Sequence, residues 1–150
     1  FVLPGYNVRP LEMSGAIGLE QLKKWPDIMQ TRNLNAHHFI SQFAGQSWCR
    51  IQHTTGTSSW FTFGMVLTGE LKGRRAEVVA ALDRAGIQNR PLASRNFLKQ
   101  PVMRDLDYID NHDYAAADDI HDNGFFVGNG SKDIRSNIDH MLAVIQGVVQ

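Results

Sequence analysis

Gly5-Tyr6-Asn7-Val8-Arg9-Pro10-Leu11-Glu12-Met13-Ser14-Gly15-Ala16-Ile17-Gly18-Leu19-Glu20-Gln21-Leu22 sets the frame for reading this chain. It reads as a polar turn, offering a phenol, an amide and a guanidinium, that feeds a helix crowded with small residues. Glycine inside a helix costs about 1 kcal/mol against alanine. A helix carrying both Gly15 and Gly18 is therefore expected to press against another backbone or a ligand, or to make a tight helix–helix contact.

Outward from that stretch, Leu11 to Trp25 has apolar residues at near-helical spacing: Met13, Ala16, Ile17, Leu19 and Leu22. Pro26 is expected to break it. A second helix is expected over Asp27 to Ala44, with Ile28, Ala36, Phe39, Ile40 and Phe43 inward and Gly45 closing it. Trp48 to His53 and Ser59 to Leu67 read as a hairpin, with Phe61, Phe63, Met65 and Leu67 alternating toward a core. A helix over Arg74 to Ala85 closes at Gly86 and leads into a strand at Ile87 to Pro91 that should join the hairpin sheet. An irregular segment follows from Ser94 to Met103. A short helix is expected over Tyr114 to Asn123, a strand over Gly124 to Val127, and a last helix capped by Ser131 or Asp133. That helix has Ile134, Ile138, Met141, Leu142 and Ile145 as its buried stripe. The order predicts an α+β fold, with helices packed on one face of a mostly antiparallel sheet.

Formal net charge is zero and no basic stripe is visible, which argues against a nucleic-acid partner. No apolar run has the length of a membrane span. The single cysteine, Cys49, rules out an internal disulfide and a thiolate zinc site, and it fits a reducing, cytoplasmic setting.

The local chemistry is sparse. A metal site would draw on His112, Asp113, Asp118, Asp119, His121 and Asp122, but a solvated acidic face explains them better. Cys49 and His53 share a strand face yet stand roughly 13 Å apart, too far for proton transfer. His37 and His38 read as surface residues of a helix. No phosphate-binding glycine loop and no nucleophile elbow is present.

The run G-Y-N-x-R-x-x-E-M-x-x-A-I-G-L-x-Q-L-x-K, from Gly5 to Lys24, resembles the signature of the DegT/DnrJ/EryC1/StrS sugar-nucleotide aminotransferases. The resemblance implies pyridoxal phosphate (PLP) enzymes of the aspartate-aminotransferase fold, with this chain as the C-terminal small domain. Residues 1–26 would be the interdomain motif and helix, residues 27–150 the small α+β domain, and an N-terminal PLP domain would lie outside the sequence. It implies that Asn7 reaches the PLP phosphate of a homodimer partner, with an amide that donates without adding charge. Tyr6 flank it together with Arg9, which either meets a phosphate or carboxylate of the substrate or pairs with Glu12. It also implies that the loop after Asn89-Arg90-Pro91 lines the nucleotide-sugar pocket, through Arg90, Arg95, Asn96 and Phe97. No lysine among Lys23, Lys24, Lys72, Lys99 and Lys132 stands where the family's Schiff-base lysine would. The chain alone is thus expected to hold no PLP and to be inactive. The implied activity of the whole protein is amination of a nucleotide-linked 4-keto-6-deoxyhexose for lipopolysaccharide or another surface glycan. The A-x-x-N-x-x-x-Q-P run at Ala93 to Pro101 and Phe125-Phe126-Val127-Gly128-Asn129 are more similar to the 3-dehydrase branch, which replaces that lysine with histidine and removes a hydroxyl. A non-catalytic dimerisation or binding domain is the rival from another class.

Overall fold

One helix dominates the N-terminal part of the molecule. In the computed structural model, which describes residues 11–109 and 113–149, α1 runs through Glu12–Phe43. The break expected at Pro26 does not occur. Pro26 has no N–H for the carbonyl of Leu22, four residues back, but Leu22 is exposed and water can take that carbonyl. Two helices separated at Pro26 are thus replaced by one of about 48 Å at 1.5 Å per residue.

The two halves of α1 have different surroundings. Its C-terminal half buries Asn35, Ala36, Phe39 and Phe43, whereas Ile40, expected on the same face, is 36% exposed. In the N-terminal half Met13, Ile17, Leu19 and Leu22 are 63–71% exposed. That apolar stripe meets nothing among the described residues.

The sheet has four antiparallel strands in the order β1-β2-β4-β3: β1 Cys49–Ile51, β2 Thr62–Leu67, β3 Asn89–Pro91 and β4 Gly124–Gly128. The hairpin β1–β2 forms as expected. β3 does join the sheet, but β4 separates it from the hairpin. Pro91 suits this edge position, where a missing N–H breaks no ladder on the free side.

Register decides which residues meet. Met65 lies opposite Phe125 and Phe63 opposite Val127, so these four share one face. Against it pack α1, α2 (Arg75–Arg84) and α4 (Arg135–Val149), which contribute Val78, Leu82, Ile138, Met141 and Ile145. Phe39 stacks on Phe63 with centroids 4.4 Å apart and on Phe43 at 4.8 Å, and Phe43 meets Trp48 edge-on. The other face carries Gly64, Gly124 and Phe126, with α3 (Ala115–Asn123) and Leu92 over the glycines. A Cβ on Gly124 would lie 2.7 Å from Leu92 Cδ1 and clash with the Ile120 carbonyl. The helices therefore do not all lie on one face: α3 covers the second, and the glycines make room for it.

Two further departures have local causes. Phe61 does not point into the core but is 69% exposed beneath the Arg32 guanidinium, while Trp60 is buried. Trp60 adopts a left-handed backbone (φ 46°), and this reverses the inside–outside order before the strand starts at Thr62. The stretch from Ser94 to Met103 contains two short 3₁₀ turns, Phe97–Lys99 and Pro101–Asp105. By contrast, Gly86 closes α2 as expected: at φ 73° its N–H donates to the Asp83 carbonyl and that of Ile87 to Leu82, a complete Schellman cap.

Asn35 and Asn129, both buried, join three elements. Asn35 Nδ2 donates to Asn129 Oδ1 (3.0 Å) and the Lys132 carbonyl (2.8 Å), and Asn35 Oδ1 accepts from Ile134 N. Asn129 Nδ2 donates to the carbonyls of Arg32 and Trp60. Replacing Asn35 with alanine leaves several of these groups without partners. Asn35→Ala is expected to lower unfolding free energy by about 2–4 kcal/mol, read from the urea midpoint at unchanged m-value.

Candidate functional site

Tyr6, Asn7 and Arg9 lie outside the described residues, as does His112. The remaining candidates follow one another along β3 and the turn after it. Arg90 is exposed on the edge strand and Phe97 is 38% exposed. Ala93 and Arg95 both adopt positive φ, 43° and 59°, unfavourable for residues with a Cβ.

Asn96 is buried, and its side chain serves the fold. Nδ2 donates to Asp118 Oδ1 (2.8 Å) and Oδ1 accepts from Leu98 N, while the Asn96 backbone N–H meets His121 Nδ1 at 3.3 Å. Lys99 Nζ also reaches Asp118 at 2.7 Å. Together these bonds dock the strained turn onto α3 and fix where Arg95 stands. The Lys99 and Asn96 hydrogen bonds hold the Asp118 carboxyl below the usual carboxylate range.

The other titratable candidates are committed elsewhere. Asp119 takes Arg50 at 3.0 Å, Lys72 at 3.6 Å and Asn123 at 2.9 Å. Burial pushes its carboxyl up, but the Asn123 and Arg50 hydrogen bonds and the Lys72 charge outweigh this, so the net displacement is downward. Among the described residues no trio of His, Cys, Asp or Glu has metal-ligand spacing. Burial pushes the Cys49 thiol up to about 11, the reverse of what a nucleophile needs. His38 joins α1 to α4 through Asp139 at 2.6 Å, while His37 is exposed.

Beside the turn lies a cavity of about 350 Å³ that the sequence did not reveal. Arg95 enters it from the turn, Arg75 from the start of α2 and Asp122 from the end of α3. Val79, Pro91 and Phe125 supply apolar wall. Arg75 Nη1 donates to the carbonyls of His121 (3.1 Å) and Gly124 (3.2 Å), which fixes the guanidinium. Burial and the nearby Arg95 charge draw the Arg75 pKa below its ordinary value, while Asp122 acts the other way. The cluster draws on three segments, and only the spacing of basic residues after β3 hinted at it.

These features define a small α+β domain with a cationic cavity beside its edge strand. The chain belongs to the DegT/DnrJ/EryC1/StrS aminotransferase family, whose model matches residues 2–145. It is 42% identical over 147 residues to GDP-4-keto-6-deoxy-D-mannose 3-dehydratase of Escherichia coli O55:H7 and 44% identical over 147 residues to that of Yersinia pseudotuberculosis. Each match covers 97% of this chain but only 38% and 37% of those proteins. The solved E. coli enzyme with bound hydrated PLP superposes with a TM-score of 0.86 at 42% identity, covering 97% of this chain and 38% of that one. A putative sugar aminotransferase from Streptococcus pneumoniae shares the fold, with a TM-score of 0.76 at 22% identity over 99% of this chain and 37% of that one. The α+β fold is therefore that of the C-terminal part of PLP-dependent aminotransferase-fold proteins.

None of the described lysines is placed in the cavity, where it could form a Schiff base with PLP. Lys23, Lys72 and Lys99 are ion-paired at the surface with Glu20, Asp119 and Asp118, Lys24 and Lys132 are exposed, and none lines the cavity.

If Asp118 anchors the turn, its removal should loosen that turn selectively. Asp118→Ala is expected to speed hydrogen exchange at the Leu98 amide by about tenfold. Amides of β2 and β4 should keep their protection.

Proposed function

We propose that this chain is the C-terminal part of a PLP-dependent enzyme that removes the 3-hydroxyl of a GDP-linked 4-keto-6-deoxyhexose. The sugar would go to lipopolysaccharide or another surface glycan. The observation that carries this reading is 42% and 44% identity across almost the whole chain to two GDP-4-keto-6-deoxy-D-mannose 3-dehydratases. The likeness to sugar aminotransferases, at 22% identity, supports the fold alone. The findings therefore favour the dehydrase branch over amination as the parent reaction.

In this proposal the N-terminal part of the protein supplies the PLP pocket, in the cytoplasm, and Asn7 contributes across a dimer interface to the cofactor phosphate. Residues 1–26 serve as the interdomain segment, whose bare apolar stripe on α1 packs against that part. Residues 27–150 form the small domain. Tyr6, Arg9, Arg90, Arg95 and Phe97 face the nucleotide sugar, while Asn96 holds the turn that presents Arg95. No helix among the described residues is long and apolar enough to cross a membrane.

The test is to incubate the full-length protein with PLP, glutamate and GDP-4-keto-6-deoxymannose and to identify the sugar nucleotide by mass spectrometry and NMR. The expected product has hydrogen in place of the 3-hydroxyl. An amine at C4 instead would return the protein to the aminotransferase reading.

A further inference from the structure

The cavity beside β3 has a pattern of charge that a phosphate alone would not require. Arg75 and Arg95 are the donors, and Asp122 is a carboxylate acceptor in the same cavity. Neither the Arg95 nor the Asp122 side chain has a hydrogen-bond partner among the described residues. Both are thus available to a ligand, whereas Arg75 is partly spent in fixing its own position on the His121 and Gly124 carbonyls. Arg95 is held in place through a strained backbone and the docked turn, at the cost of an unfavourable φ of 59°. A bare anion would gain from the two guanidiniums but would be repelled by the Asp122 carboxylate in the same cavity. A ligand suited to all three must accept on one edge, donate on the adjoining edge, and present flat apolar faces to Val79, Pro91 and Phe125.

Guanine has that arrangement. O6 and N7 accept and match an arginine fork. On the next edge the N1–H and 2-amino groups donate, and a carboxylate can accept both. Adenine reverses the pattern at position 6, where an amino group would face the arginines. We propose that this cavity holds the guanine base of the nucleotide, with Asp122 accepting from N1–H and the 2-amino group and Arg95, backed by Arg75, donating to O6 and N7. The assignment rests on the reading of the parent protein as a nucleotide-sugar enzyme, and it makes Asp122 and Arg95 its determinants of base specificity.

Calorimetric titration of the full-length protein with GDP, IDP, ADP and pyrophosphate tests it. GDP should bind roughly tenfold or more tightly than ADP, and more tightly than IDP, because inosine lacks the 2-amino group and leaves one carboxylate oxygen unmatched. Asp122→Asn should bring GDP down to the level of ADP, since its amide presents a donor to a donor edge. Equal affinities for GDP, IDP and ADP in the unsubstituted protein would overturn the assignment without recourse to any variant. So would an unchanged GDP-to-ADP ratio in Asp122→Asn, or pyrophosphate binding as tightly as GDP. Those results leave the parent reading standing, whereas failure of every nucleoside diphosphate to bind would remove both.

Discussion

The buried pair of Asn35 and Asn129 is the contact on which the arrangement of this domain depends. Each side-chain amide donates twice and accepts once, with bonds between the two and to the backbone of Arg32, Trp60, Lys132 and Ile134. The pair fixes the long helix against the turn that launches α4. It also reaches Trp60, two residues before β2. The Trp60 carbonyl accepts from Asn129 and its N–H donates to Ser58 Oγ, so both sides of an unfavourable left-handed residue are held. Without those bonds an extended Trp60 would be preferred, and Phe61, with an exposed ring, would compete for the core. A polar contact thereby chooses which aromatic is inside, which hydrophobicity alone leaves undecided.

α3 shows how one short helix can serve three directions. Asp118 holds the turn after β3, Asp119 holds Arg50 of β1 and Lys72 before α2, and Asp122 is left facing the two arginines. Asp118 and Asp122 are four residues apart and so share a face, consistent with both carboxylates acting on Lys99. The acidic run looked like a solvated surface because each partner is distant in sequence. Its neighbour Asn123 donates to Asp119 and accepts from the Gly73 N–H, which joins the end of α3 to the approach of α2. The cavity between α2 and α3 is thus held from both sides.

Much of the fold was legible where a local rule suffices. The Gly86 cap needs only a residue that accepts positive φ, and the α4 stripe needs only helical spacing. The misread features depend on remote neighbours. Nothing near Pro26 tells whether water or another chain segment will take the Leu22 carbonyl. Nothing in β3 shows that β4, over thirty residues later, will enter the sheet between it and the hairpin. The candidate site divides in the same way. Arg90, Arg95, Asn96 and Phe97 were visible as one polar stretch, but Asn96 turned inward to position Arg95. Arg75 and Asp122 became neighbours only when α2 and α3 closed on the same edge.

The unbroken α1 gives the two kinds of observation a common physical basis. A helix with an interior proline persists only if packing offsets the lost hydrogen bond, and here the packing lies wholly on its C-terminal half. Ala36, Phe39 and Phe43 anchor that half to the sheet, so the other half leaves the domain at an angle set by the core. Its exposed Met13, Ile17, Leu19 and Leu22 then face outward as a rigid stripe. Gly15 and Gly18 have no described atom within 4 Å of the position of a Cβ, so their smallness serves no contact among the described residues. A helix that bears the cost of two glycines and a proline and still remains continuous is suited to carrying position from one folded unit to another. That accords with a chain that spans less than two fifths of its curated relatives. The Asn35–Asn129 pair sits at the base of this lever, so the same contact that orders the core also aims the exposed N-terminal half of α1.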